Sequence, residues 1–318
     1  MIMTPERRNR LIGLAARLIP HQDPPSPTVL RLLRAEPVRP LARVVYGPVP
    51  RRIEVTDLAV FSSENPNPRM RVYRPRDVEP GRPLLINFPG GGFVLGNLAQ
   101  TDWLCGQLAD RGNLTVVSAT YRLAPEHPAP AAVDDAWLMA QHAIALIRRF
   151  DADPARVGVI GNSAGGTLAA LISLRARHEP LAVPLWRQIL LYPALDLTLS
   201  SASVAEFHDA PLAGRRVLDW YGRQYLPQGR PDSLHGADPS ISPIHATDHA
   251  GLPRTLLIAA GQDPLRDDAP RYGDVLTAAG VPNRVIIYPD AVHGFLSMPR
   301  IAPDALPAIN EILSELDA

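Results

Sequence analysis

The chain has 318 residues, 46% of them apolar and 20% charged, enough for a sizeable folded core and too apolar for a disordered polymer. Its 32 basic and 32 acidic side chains cancel, so no overall field draws nucleic acid or an anionic membrane to it. Every basic residue is arginine, which excludes lysine Schiff-base and P-loop chemistry. The one cysteine, Cys105, excludes an intramolecular disulfide or a multi-cysteine metal site.

Taken in order, Leu11, Leu14, Ala15, Leu18 and Ile19 recur at helical spacing and predict an amphipathic first helix. Arg17 interrupts its apolar run and no cleavage-site pattern follows, so no signal peptide is expected. No apolar stretch of about 18 residues is present to span a membrane, and the expected location is the cytoplasm without stable membrane insertion. After a run of prolines (Pro20, Pro24, Pro25, Pro27), Val29 to Arg34 predicts a second short helix.

From residue 51 the pattern changes to strands. Residues 52–61 and 70–75 read as an antiparallel pair around the turn Asn65-Pro66-Asn67-Pro68. Six further strands are predicted at Leu84 to Phe88, Leu114 to Thr120, Val157 to Ile160, Ile189 to Tyr192, Thr255 to Ala259 and Arg284 to Tyr288. Several are continuous apolar runs, as expected of parallel strands covered on both faces. Helices are predicted between them near 101–111, 133–149, 164–177, 266–279 and 304–316, and Cys105 falls in the first of these as a buried thiol. Such alternation implies an α/β fold with a mostly parallel sheet and right-handed crossovers. The stretch 198–239 breaks the alternation and carries Phe207, Trp220, Tyr221 and Tyr225. The expected organisation is a catalytic domain formed by 51–197 and 240–318, with 1–50 and the inserted 198–239 as two parts of a helical cap. The strand at 284–288 is expected at the sheet's edge, which leaves a monomer or a homodimer open.

Residues 161–165 read Gly-Asn-Ser-Ala-Gly, the pattern of a tight strand-to-helix turn that exposes a serine at the strand's carboxyl end. A serine hydroxyl needs a base, and the base needs an orienting acid. On this architecture they follow in the order serine, acid, histidine. Of nine histidines only His293 lies beyond the candidate acids, in Asp290-Ala291-Val292-His293-Gly294-Phe295. Asp263 comes first after its strand in Gly261-Gln262-Asp263-Pro264-Leu265-Arg266-Asp267-Asp268 and is the chosen acid. Asp267 and Asp268, at a helix start, are the alternatives. The glycines of Pro89-Gly90-Gly91-Gly92-Phe93 can present bare backbone amides to an oxyanion, so Gly91, Gly92 and Ala164 are the expected donors. Phe93, Trp220 and Tyr221 are candidate walls of a substrate pocket. Tyr121, Arg122 and Glu126 read as a structural brace, and Asp134 and Asp135 as helix caps.

Together, Pro-Gly-Gly-Gly-Phe at 89–93, Tyr-Arg-Leu-Ala-Pro-Glu-His-Pro at 121–128, Gly-Asn-Ser-Ala-Gly-Gly at 161–166, Asp-Pro-Leu-Arg-Asp-Asp at 263–268 and His-Gly-Phe at 293–295 resemble the hormone-sensitive-lipase-like, bacterial esterase branch of the α/β-hydrolases. The resemblance spans roughly residues 70–300. It implies the α/β-hydrolase fold and hydrolysis of short- to medium-chain carboxylic esters beneath a helical cap. It implies Ser163, Asp263 and His293 as triad, Gly91, Gly92 and Ala164 as oxyanion hole, a small-molecule ester as substrate with no nucleic acid partner, and no metal or organic cofactor. An amide or formamide hydrolase or a small-metabolite deacetylase on the same residues is the alternative, followed by a non-catalytic ligand-binding protein. Two positions depart from the family: Pro89 stands where histidine is usual and Asn162 where aspartate is usual. A working oxyanion hole with altered specificity or reduced rate is expected from them.

Overall fold

The computed structural model describes residues 26–37, 39–65, 67–77, 79–226 and 234–318, so the helix expected over Leu11 to Ile19 lies outside the described residues. Two short helices come first, α1 (Pro27–Arg34) and α2 (Arg39–Val45). The second has no counterpart in the sequence reading, because Pro37 and Pro40 punctuate a run that looks like loop. Next come β1 (Ile53–Ala59), β2 (Arg69–Pro75) and β3 (Arg82–Phe88), then α3 (Asp102–Gly112), β4 (Thr115–Ala119) and α4 (Ala131–Ala145). The middle of the chain holds β5 (Ala152–Asn162), α5 (Ala164–Arg175), β6 (Leu185–Leu191), α6 (Ala202–Glu206) and α7 (Arg215–Tyr225). It closes with β7 (Arg254–Gln262), α8 (Asp268–Ala278), β8 (Asn283–Val292) and α9 (Ala305–Asp317).

The strands form one eight-stranded sheet in the order β1-β2-β4-β3-β5-β6-β7-β8. β2 runs antiparallel to β1 and β4, and every other pairing is parallel. This is the α/β-hydrolase fold the sequence predicts. The continuous apolar runs follow from the pleat, because successive side chains enter cores on opposite faces. Leu84, Ile86, Val157, Val159 and Leu257 enter one core, with α4, α5 and α8. Leu85, Ile160, Ile189, Leu256 and Ile258 enter the other, with α3 and α9. Cys105 is fully buried there and burial pushes its thiol well up, which keeps it inert.

The cap expected of Asp135 is corrected. Asp135 lies inside the first turns of α4, whose N-cap residue is Pro130, and is 2% exposed. Its carboxylate accepts from the Arg122 backbone N–H at 2.7 Å, from Arg122 Nε at 2.9 Å and from Asn65 Nδ2 at 2.7 Å. A buried carboxylate survives only when paired and hydrogen-bonded, so Asp135 ties three segments together. Arg34 of α1 does the same nearer the surface, donating to the carbonyls of Val94 and Ala124 and pairing with Glu126 through both terminal nitrogens.

Candidate active site

β5 delivers Ser163 at its carboxyl end, and the turn into α5 is tight enough to strain it. Ser163 has φ 55° and ψ −123°, a conformation costly for a residue with a side chain. Its N–H donates to the Leu191 carbonyl of β6 at 2.8 Å. The small neighbours are sterically required. A Cβ on Gly165 would stand 1.8 Å from the Phe88 carbonyl oxygen, and one on Gly161 would stand 2.1 Å from that of Gly165. The serine is pressed against the end of β3, whose next residues are the glycine loop.

The loops after β7 and β8 bring the other two groups. His293 Nε2 lies 2.9 Å from Ser163 Oγ, and His293 Nδ1 lies 2.7 Å from Asp263 Oδ2. Asp263 is fully buried, and its second oxygen accepts from the Leu265 N–H at 2.9 Å. The Tyr192 ring stands edge-on to the imidazole with centroids 5.1 Å apart. The alternative acids are engaged elsewhere: Asp267 accepts from the Ser203 N–H at 2.9 Å, and Asp268 accepts from the N–H groups of Leu195 and Asp196 at 2.9 and 3.1 Å.

Gly91, Gly92 and Ala164 line the same cavity as Ser163 and His293. Ala164 is the first residue of α5, so its N–H has no acceptor within the helix. The loop is held rigidly around Gly90. Its N–H donates to Asn162 Oδ1 at 3.1 Å and its carbonyl accepts from Gln100 Nε2 at 2.7 Å. One residue earlier, Tyr121 Oη donates to the Pro89 carbonyl at 2.6 Å. Burial pushes the Tyr121 phenol up, so it stays a donor. Of the three residues read as a brace, Tyr121 holds the loop directly, while Arg122 is engaged by Asp135 and Glu64 and Glu126 by Arg34. Gln100 was missed, and no sequence signal marks it.

The cavity has a volume of about 470 Å³. Its walls include Phe93 after the glycine loop, Leu197, Leu199 and Leu212, Tyr221 and Tyr225 of α7, and Val45 and Tyr46 at the end of α2. Among the described residues that line it, His293 is the only titratable group apart from tyrosines. Phe93 and Tyr221 thus line it as expected: Phe93 stacks on Tyr225 at 4.0 Å, and Tyr221 lies so close to Gly92 that a Cβ there would sit 2.4 Å from its ring. Trp220 does not line it. It is 1% exposed and points into the core, because adjacent helical residues face different sides.

A family model described as the alpha/beta hydrolase fold matches residues 85–297. Esterase LipI of Mycobacterium tuberculosis is 39% identical over 289 residues, covering 90% of this chain and 85% of that protein. The structure of an ester hydrolase from the metagenome of Lake Arreo, complexed with a bipyridine phosphonate derivative, has a TM-score of 0.86 at 33% identity, covering 99% of this chain and 98% of that one. A hyperthermophilic esterase from Pyrobaculum calidifontis has a TM-score of 0.81 at 31% identity, with 99% and 98% covered. The chain belongs to the hormone-sensitive-lipase-like family of α/β-hydrolases.

Within that family the two unusual residues have specific surroundings here. Pro89 has no N–H to place, and its carbonyl is taken by Tyr121. Asn162 supplies a neutral acceptor to Gly90 in place of a carboxylate and is 5% exposed.

Proposed function

We propose that Ser163 is the nucleophile by which this chain, a carboxylesterase-type serine hydrolase, cleaves carboxylic esters. What carries the reading is the unbroken line from Ser163 Oγ to His293 Nε2 (2.9 Å) and from His293 Nδ1 to Asp263 Oδ2 (2.7 Å), at the floor of an apolar cavity. Ser163 Oγ attacks the ester carbonyl while His293 Nε2 takes its proton. The charge that develops on the carbonyl oxygen is met by the N–H groups of Gly91, Gly92 and Ala164. Asp263 holds the imidazole with Nδ1 protonated and steadies the imidazolium. His293 then protonates the leaving alcohol, and water repeats the sequence on the acyl-enzyme, with His293 again as base.

The cavity's size and uncharged walls favour short- to medium-chain acyl groups on uncharged alcohols. Residues 1–50 and 198–239 act as the cap that closes it, and α2 and α7 both contribute walls. No helix among the described residues is long and apolar enough to cross a membrane. The enzyme works in the cytoplasm as a monomer or as a homodimer joined along β8, an edge strand whose Ile287 is exposed.

The test is turnover of a p-nitrophenyl ester series together with labelling by a serine-directed phosphonate. Labelling at Ser163 and a loss on the order of 10⁴–10⁶ in kcat for Ser163→Ala are expected. Residual turnover close to wild type in that variant would remove Ser163 from the chemistry. Matched ester and amide substrates decide between ester and amide hydrolysis.

A further inference from the structure

The neutral chain hides a strong local asymmetry. Residues 1–52 contain ten arginines against Glu6, Asp23 and Glu36, a formal charge of +7, so the remaining 266 residues carry −7. A charge split of this kind between parts of one chain points to an anionic partner. The same segment presents an apolar face. Of the eight large apolar side chains exposed among the described residues, five belong to α1 and α2: Val29, Leu32, Leu41, Val44 and Val45. Leu32 is 76% exposed and Val44 60%, values that packing against the body of the molecule would not leave.

Both helices are anchored from their other sides. Leu30 of α1 and Ala42 of α2 are buried, and Arg34 reaches inward to Val94, Ala124 and Glu126. The outward positions therefore do not serve the fold. Arg31 and Arg43 are exposed among the leucines and valines. The face also lies at the substrate cavity, because Val45 is both exposed and part of the lining, next to Tyr46.

We propose that the outward face of α1 and α2 is a docking surface for an anionic lipid bilayer, on which the enzyme adsorbs with its cavity mouth at the membrane interface. Arginines supply attraction to acidic headgroups, and the leucines and valines between them enter the headgroup–acyl boundary. A nucleic acid would match the charge and leave the apolar side chains wet, which favours lipid as the occupant. The adsorption is peripheral and reversible, with no segment crossing the bilayer. It gives an apolar ester dissolved in the membrane a direct path to the apolar cavity.

The experiment is co-sedimentation of the full chain with vesicles of phosphatidylglycerol and phosphatidylcholine, or of phosphatidylcholine alone, at about 0.1 M salt. Ser163→Ala protein is run beside the wild type, so that binding is read independently of the proposed chemistry. Both proteins should pellet with the acidic vesicles, stay in solution with the neutral ones and be released at about 1 M salt. The pairs Arg31→Glu with Arg43→Glu, and Leu32→Asp with Leu41→Asp, should each lower partitioning about tenfold or more. Hydrolysis of a water-soluble ester should stay within about twofold, since none of these four side chains lines the cavity. Failure of the wild type to pellet with acidic vesicles overturns the proposal, as does equal binding by either variant pair. So does a wild-type dimer that these substitutions split without changing lipid binding, which would assign the face to a second copy. Tight binding to duplex DNA with none to vesicles overturns it as well.

Discussion

Gly90 decides how the glycine loop stands, and it is held on both sides by neutral amides: its N–H by Asn162 Oδ1 and its carbonyl by Gln100 Nε2. The geometry explains how a family member manages with asparagine beside its serine. The contact needs an acceptor for one backbone N–H, and an amide oxygen is as good a fit as a carboxylate, though not charge-assisted. Removing the acceptor should cost more than changing its charge. Asn162→Ala leaves a buried N–H without a partner, a loss of about 1–3 kcal/mol. Where that loss falls on the transition state, kcat/KM drops about ten- to a hundredfold with KM little changed. Asn162→Asp keeps the acceptor and should stay within about threefold, because Gly90 donates equally well to a carboxylate. Steady-state kinetics on one p-nitrophenyl ester checks both. A fall in the aspartate variant as large as in the alanine variant would show that neutrality, rather than the acceptor, matters at 162. Sequence reading singled out Ser163, Asp263, His293 and Asn162 because each has a motif or a required chain order. Gln100 has neither, since its role depends on a 3₁₀ turn at Leu98–Thr101 that aims it back at the loop.

At the scale of elements, the strands were the most legible part, because burial on both faces leaves continuous apolar runs that few other structures produce. Helix α7 was only half legible. Its aromatic residues are evident, but which of them face the cavity depends on how the helix is rotated: of the two neighbours expected at the pocket, Tyr221 lines it and Trp220 is turned into the core. Tyr221 stands over Gly92 and closes the cavity on that side. Tyr221→Ala should therefore open space directly beside the glycine loop and shift preference toward longer acyl chains. Each additional methylene that gains contact in a hydrophobic pocket is worth about 1–3 kcal/mol. The ratio of kcat/KM for a longer over a shorter p-nitrophenyl ester should accordingly rise about tenfold or more. The same substitution at Trp220 should lower stability, since its ring is core, at a cost of about 3–5 kcal/mol. A Trp220→Ala variant with wild-type stability and altered chain-length preference would reverse the two assignments.

The whole molecule depends on a junction that sequence alone could not reveal, because its partners are distant in the chain. The loop after β6 is fastened to the start of α8 by Asp268, whose carboxylate accepts from Leu195 and Asp196 N–H groups. Asp196 is itself buried and holds Thr198, Ser200, His245 and Arg271. Burial works against the Asp196 carboxylate, yet these donors hold it well below the usual range. Asp268 goes the other way: complete burial, opposed by the two amides and aided by the Asp196 charge, pushes it up to about 7. A free aspartate titrates near about 3.9. Between those values the folded protein keeps a proton that the unfolded chain has released, so Asp268 stabilises the fold fully below about pH 4 and loses that contribution as pH rises toward 7. Asparagine resembles the protonated acid in shape and cannot titrate. Relative to wild type, Asp268→Asn should thus gain on the order of 2 kcal/mol of stability between pH 5 and pH 8. Urea unfolding of both proteins across that range measures it, and titrations common to the two chains cancel in the difference. Curves that run parallel from pH 5 to pH 8 would mean that Asp268 is ionised throughout, held down by the Leu195 and Asp196 amides and Arg271 against the cost of burial.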